Sequence, residues 1–192
     1  MSDLREMQSI REVLEGKTRS FAFLVEKYQG DAYHLSFKML GDREEARDCT
    51  QESFIKAFEN LRSFRTDSRF STWLYRIVYN TCISRIRKSG KTIRLESGMS
   101  ENEGFSDDSD ALGALDSEDR QRILEAGYLA LQPDEVFLID RYYKDESNID
   151  ELSQMTGLTT SNVKVKLFRA RMKMLNAIKI ELKEEVHIWQ TR

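Results

Sequence analysis

Two cysteines, Cys49 and Cys82, and two histidines, His34 and His187, are the chain's whole stock of thiol and imidazole groups. Neither cysteine has a CxxC partner or a histidine at ligand spacing, so both read as small buried thiols in reduced form and no metal is expected. No Ser/His/Asp or Cys/His grouping, paired-carboxylate motif or Gly-rich phosphate loop stands beside the histidines. The sequence therefore predicts no catalytic residue, no cofactor and no enzyme. Its chemistry lies in the placement of charge. A net charge of −3 hides strong segregation along the chain. From Asn60 to Arg94 stand nine basic residues and one acid, Asp67, an excess of +8. From Leu95 to Asp119 stand nine acids and no base, and from Val163 to Ile180 six bases and no acid. In the first basic segment, LRSFRTDSRFSTWLYRIVYNTCISRIRK, the aromatics Trp73, Tyr75 and Tyr79 are interleaved with Arg65, Arg69, Arg76, Arg85, Arg87 and Lys88 and with Asn80. Flat rings stack on unpaired bases while guanidinium and ammonium groups hold phosphates, so this mixture suits single-stranded nucleic acid. Some of the rings are expected to be core, because Leu74, Ile77, Val78 and Thr81 form an apolar stripe with Trp73 beside it.

The elements that carry these residues follow from composition and spacing. At 192 residues, 40% hydrophobic and 33% charged, the chain has the mix of a folded protein of one ordinary or two small domains, which excludes collagen, a disordered tail and a disulfide scaffold. One proline and nine glycines leave little to interrupt helices, and the expectation is an all-α fold. No apolar run approaches the roughly 18 residues of a membrane span, and the charged start MSDLREMQSIREVLEG lacks the apolar centre of a signal peptide, so a cytoplasmic protein is expected. The acidic segment, with the Ser/Gly-rich text LESGMSENEGFSDDSD, reads as a flexible linker. Residues 1–92, 93–117 and 118–192 are accordingly expected to be a helical domain, a tether and a second helical domain. Opposite charges on tether and modules are expected to draw the two domains together in the free protein.

In the first domain, helical spacing runs from Phe21 to Leu40. Gly41 can end that helix in a left-handed conformation, and Asp42, with Glu45 three residues on, caps the next. In the following helix Ala46, Cys49, Thr50, Ser53, Phe54, Ala57, Phe58 and Leu61 make one buried face. The opposite stripe is Asp48, Gln51, Glu52, Ile55 and Glu59. It reads either as a solvated surface or, with Ile55 at its centre, as an apolar patch with a polar rim that meets a partner. Ser71 can cap the helix that carries Trp73. In the second domain Pro133 suits a helix first turn, Asn148 and Glu151 form a capping box, and IDELSQMTGLTTSNVKVKLFRARMKML has the pattern of a helix-turn-helix around Gly157. With Val163, Leu167, Ala170 and Met174 inward, the second helix presents Ser161, Asn162, Val165, Phe168 and Arg169, flanked by Lys164, Lys166 and Arg171. An αα-hairpin used only for packing is the alternative, and it leaves the uncompensated positive charge of that helix unexplained.

DREEARDCTQESFIKAFENLRSFRTDSRFSTWLYRIVYNTCISRIRK resembles region 2 of the extracytoplasmic-function (group IV) sigma factors of RNA polymerase. LQPDEVFLID and TTSNVKVKLFRARMKML resemble region 4. The resemblance implies two helical domains, a bacterial cytoplasmic protein, and promoter-specific initiation by core RNA polymerase. By it, Asp48, Gln51, Glu52, Ile55 and Glu59 lie on the helix that docks on the β′ clamp coiled coil. Arg65, Arg69, Ser71, Trp73, Tyr75, Arg76, Asn80, Arg87 and Lys88 fall in the part that opens the minus-10 element and holds a flipped non-template base. Residues 161–171 match the helix that enters the major groove at the minus-35 element. It also implies contact with the β flap and an anti-sigma partner. Two departures are Ser84, where relatives commonly have Asp, and Ser161–Asn162, where they have a Gly-Thr pair. The second falls on the reading face, so the minus-35 preference of relatives does not transfer. The reading from a different class is a helix-turn-helix regulator that never docks on polymerase; a third is a helical adaptor that binds only protein.

Overall fold

The computed structural model describes residues 2–90 and 117–190. Among them the secondary structure is helical: α1 (Ser2–Leu14), α2 (Phe21–Leu40), α3 (Arg43–Glu59), α4 (Phe70–Lys88), α5 (Ser117–Leu129), α6 (Pro133–Lys144), α7 (Ile149–Thr156) and α8 (Thr160–Gln190), with single 3-10 turns at Thr18–Ser20 and Leu61–Ser63. No described helix is long and apolar enough to cross a membrane. The tether expected at 93–117 lies outside the described residues except for Ser117, which begins α5.

The boundaries have local causes. Gly41 and Gly157 both close helices at φ 74, a left-handed conformation that costs glycine nothing. The Asp42 carboxylate accepts the Glu45 backbone N–H at 2.8 Å. Asn148 and Glu151 cap each other's backbone N–H at 2.9 Å, the reciprocal box expected from their spacing. Pro133 opens α6 behind a second such box formed by Gln132 and Glu135. One expectation fails: α4 begins at Phe70, with Arg69 in the cap position and no side-chain cap, so Ser71 lies inside the first turn. Phe70 decides this start. It is buried, with its ring centroid 5.6 Å from Phe64 and 5.7 Å from both Tyr28 and Trp73, and the aromatic cluster holds the chain entering the helix.

The N-terminal module packs α2, α3 and α4 around Leu24, Leu35, Leu74 and Val78, with α1 laid on one side. Its centre uses small residues where helices approach closely. Cys49 and Cys82 are fully buried and reduced, their Sγ atoms 3.2 Å apart, and Ser36 and Ser53 are buried beside them. In the C-terminal module α8 packs against α5, α6 and α7, with Val163, Leu167 and Ala170 pointing inward as their spacing requires.

Four consecutive residues of α6, Val136, Phe137, Leu138 and Ile139, are all buried. A surface helix buries one stripe, so a helix buried all round has neighbours on both sides. For α6 those are α8 of its own module and α2 and α4 of the other. The two modules therefore touch in this structure, α2 and α4 on one side and α6 and α7 on the other.

Candidate protein and nucleic-acid interfaces

α3 separates its two faces sharply. Ala46, Cys49, Thr50, Ser53, Phe54 and Ala57 are buried, while Asp48, Gln51, Ile55 and Glu59 are exposed and Glu52 is half-buried. Phe58, expected in the core, stays 40% exposed and packs edge-on against Phe21 at 5.2 Å. Ile55 is 58% exposed at the centre of the acidic stripe. An apolar β-branched side chain exposed among carboxylates has the make-up of an interface centre with a polar rim.

The stripe also carries a cation that the sequence did not assign to it. Arg85 of α4 reaches across to Glu52 at 2.9 Å and approaches Asp48 at 4.0 Å, and Lys56 closes on Glu52 at 2.7 Å. Hydrogen bonds from Lys56 and then Arg85 hold the Glu52 carboxyl below the usual carboxylate range. Arg85 thus belongs to the acidic face and drops out of the positive excess that the sequence credits to α4. No spacing rule joins residues 52 and 85, since only the packing of α3 on α4 brings them together.

The basic segment divides in the same way. Arg65, Arg69, Arg76, Asn80, Arg87 and Lys88 are exposed. Along α4, positions 76, 80, 84, 87 and 88 fall on one helical stripe, so Arg76, Asn80, Ser84, Arg87 and Lys88 share a face. Ser71 is half-buried, and half-buried Trp73 packs on Phe64 at 5.6 Å, leaving part of the indole open beside the loop. Tyr75 points elsewhere. It is 1% exposed, with the Arg141 guanidinium of the other module 4.0 Å above its ring, and burial pushes its phenol far up. Tyr79 packs on Phe137 at 4.7 Å, and burial first, then Asp134, push its phenol up to about 12.

On α8, the Asn162 backbone N–H donates to Thr159 Oγ1 at 3.2 Å in the first turn. Ser161, Asn162, Lys164, Val165, Phe168 and Arg169 are exposed together, with the apolar Val165 at 47% and Phe168 at 53%. Exposed methyl groups and a ring beside an amide and a guanidinium form a surface that can read base edges: apolar atoms meet thymine methyls, and the polar ends pair with purines. Lys166 and Arg171 stand apart from that face. Lys166 binds Asp134 at 2.6 Å, and Arg171 lies over Tyr142 at 4.9 Å.

Comparison with known proteins agrees in extent with this arrangement. Residues 24–92 match the family model described as Sigma-70 region 2. The ECF RNA polymerase sigma factor SigW of Bacillus subtilis is 34% identical over 171 residues, which cover 84% of this chain and 90% of SigW. The ECF RNA polymerase sigma-E factor of Haemophilus influenzae is 28% identical over 182 residues, covering 91% of this chain and 96% of that one. The fold is similar to the sigma factor RpoE solved with the anti-sigma factor NepR from Bartonella quintana (TM-score 0.61, 19% identity, 84% of this chain and 98% of that one). It is also similar to CnrH solved with the cytosolic domain of CnrY (TM-score 0.54, 20% identity, 94% and 99%). With one third of its residues shared with SigW across most of both chains, and a region 2 match spanning the helices that carry the acidic stripe and the basic face, the chain belongs to the extracytoplasmic-function family of RNA polymerase sigma factors.

Proposed function

We propose that this sigma factor binds core RNA polymerase and directs promoter-specific transcription initiation from two modules, residues 1–92 and 118–192, joined by the acidic tether 93–117. The observation that carries the proposal is α3, one face core and the other an exposed Ile55 ringed by Asp48, Gln51, Glu52 and Glu59. A regulator that only binds DNA has no use for such a face, which is what separates this reading from a helix-turn-helix repressor or activator. The stripe docks on the β′ clamp coiled coil, and the C-terminal module meets the β flap. The minus-10 element is opened and its non-template strand held by Arg65, Arg69, Ser71, Trp73, Tyr75, Arg76, Asn80, Arg87 and Lys88. Rings receive unstacked bases while cations hold the backbone. At the minus-35 element Ser161, Asn162, Val165, Phe168 and Arg169 face the major groove, with Lys164 toward phosphates and Lys166 and Arg171 reaching them on release from Asp134 and Tyr142. An anti-sigma protein is a further partner, a reading supported by the fold's likeness to the sigma factor RpoE, which was solved with the anti-sigma factor NepR. Work of this kind places the protein in the bacterial cytoplasm.

Run-off transcription with purified core polymerase tests the proposal. A transcript from a cognate promoter that appears only when the chain is added is expected. DNA binding without any effect on polymerase would convert the reading to a regulator.

A further inference from the structure

The chain's two thiols are buried against each other. Cys49 on α3 and Cys82 on α4 stand 33 positions apart in sequence, are fully buried, and place their Sγ atoms 3.2 Å apart. Close approach of these helices does not require sulfur. Ala46, Ser53 and Ala57 on α3 and Ser36 on α2 serve it nearby, and all four are fully buried. A chain with two cysteines in 192 residues nevertheless brings both to one point of its core.

Surroundings make the two sulfurs unequal. The hydrogen bond with Cys82 holds the Cys49 thiol below its ordinary value against the effect of burial, and the Arg85 guanidinium and the Ser36 hydroxyl add to it. The Cys82 thiol is pushed far up, by that same bond and then by burial. Cys49 is therefore the sulfur that ionises first, and its partner thiol is already in contact. Arg85 Nε is buried without a hydrogen-bond partner among the described residues, which leaves a donor unspent in the same neighbourhood. A groove of about 400 Å³ between α3 and α4 is lined in part by Glu52, Thr81, Ser84 and Arg85. Thr81 adjoins Cys82 and Glu52 stands one helical turn from Cys49, so the groove reaches the turn of each helix that carries a thiol. Burial slows entry from there without forbidding it, because local opening of packed helices admits water-sized molecules.

We infer that Cys49 and Cys82 form a dithiol at which a hydroperoxide, reduced first by Cys49, leaves a disulfide that clips α3 to α4. With hydrogen peroxide as the oxidant the step balances. The Cys49 thiolate attacks one peroxide oxygen, the O–O bond breaks, and the hydroxide that leaves takes a proton to become water. The sulfur of Cys82 then attacks the Cys49 sulfenic acid; an S–S bond forms as the S–O bond breaks, and the departing hydroxide takes the Cys82 proton. Two thiols lose two electrons and one peroxide leaves as two waters. A thiol reductant reverses the bridge by exchange. The clip joins the helix of the proposed docking stripe to the helix of the proposed minus-10 face. Because Cys49 lies on the buried side of α3 and Ile55 on the exposed side, the bridge holds the two helices together and leaves the stripe outside.

The test uses the full chain in its folded state. A small excess of hydrogen peroxide is expected to lower the mass by about 2 Da, the two hydrogens lost on bridging. A tryptic map should then join residues 48–56 to residues 77–85. The melting temperature should rise by about 5 to 15 °C, since the cross-link restricts the unfolded chain, and dithiothreitol should return both mass and melting temperature to their starting values. Cys82→Ser should stop at a sulfenic acid on Cys49 that dimedone captures, whereas the remaining thiol of Cys49→Ser should be oxidised at least several-fold more slowly. Circular dichroism shows whether the two variants fold, and if they do not, the wild-type map decides alone. A folded wild type that keeps both thiols under peroxide overturns the proposal. So does a bridge that forms only in urea, a bridge between chains, or passage to sulfinic acid without a bridge. Equal reactivity of the two folded variants overturns the order of attack. None of these outcomes depends on the sigma reading.

Discussion

Ile55→Asp separates binding from folding at the α3 stripe. Ile55 is 58% exposed, so the free protein already leaves more than half of its apolar surface in water. Full burial of an isoleucine is worth about 1.5 to 3 kcal/mol, so the folded chain gains only about 1 kcal/mol from this side chain, and the helical cost of Asp adds a few tenths. That predicts a melting temperature lower by about 2 to 5 °C with unchanged helical circular dichroism. At a docked interface the balance reverses. Covering the exposed portion returns about 1 to 2 kcal/mol, and a carboxylate there is desolvated among Asp48, Glu52 and Glu59 at a further cost of about 1 to 3 kcal/mol. The sum, about 2 to 5 kcal/mol, weakens core polymerase binding by roughly 30-fold to several thousand-fold. Titration of labelled polymerase into the variant, beside its melting curve, measures both effects. Wild-type affinity in a variant that melts within a few degrees of the parent would refute the docking assignment. Asp48→Lys is a cleaner companion than Glu52→Lys, because Glu52 also neutralises Arg85 and Lys56 inside the protein.

Three other outcomes follow from the same geometry. Asn162→Ala should cost on the order of 1 to 3 kcal/mol on the preferred minus-35 sequence and flatten discrimination at one base, whereas Lys164→Ala should weaken all sequences alike and lower the salt slope by about one; single-base promoter variants across a salt series distinguish them. Arg141→Ala takes the partner of Asp145 and leaves Asp140 with Lys38 alone, and should destabilise the protein by up to about 3 to 5 kcal/mol, while Arg141→Met, which fills the same space, should cost far less in urea titration if Asp145 is neutralised with it as Asn. Tyr79, pushed up to about 12 by burial first and by Asp134 next with Arg87 opposing, should ionise later than a free phenol when followed by ultraviolet absorbance. Because the folded protein holds this phenol neutral, the stability that Tyr79 contributes is whole below the ordinary phenol value of about 10 and is lost as pH rises through the raised one.

What could be read from the chain alone depended on how local its cause was. The caps at Asp42 and Asn148 and the turns at Gly41 and Gly157 are settled within four residues, and they stand where spacing placed them. The inward faces of α3 and α8 were legible for the same reason, since a 3.6-residue period marks a buried stripe wherever the partner helix comes from. Phe58 departs because Phe21 covers only one edge of its ring. Residues decided by distant packing were not legible. Tyr75 reads as one more aromatic of a basic helix until Arg141 is seen above it, 66 positions along the chain. Arg85 counts toward positive charge until α3 supplies Glu52. Charge segregation suggested an attraction between the modules with the acidic tether as its agent, whereas among the described residues the modules meet through α6 and α7.

The closed arrangement covers the two halves of the promoter-reading surface unequally, and this bears on the order of loading. The face of α8 with Asn162, Val165 and Phe168 stays open, as does the α3 stripe, while the Tyr75 side of α4 is shut beneath α6. Arg65, Arg69, Arg76, Asn80, Arg87 and Lys88 are exposed too, so of the residues proposed to hold the minus-10 strand it is Tyr75 that becomes available only when the modules part. The energy required is within reach of polymerase contacts. Converting a population from 99% closed to 99% open takes about 5.5 kcal/mol of preferential binding to the open form, and a nanomolar complex makes about 12 kcal/mol available. If polymerase docking parts the modules, the same contacts can supply that energy and still bind tightly, with Tyr75 the residue of the proposed minus-10 set that is newly uncovered.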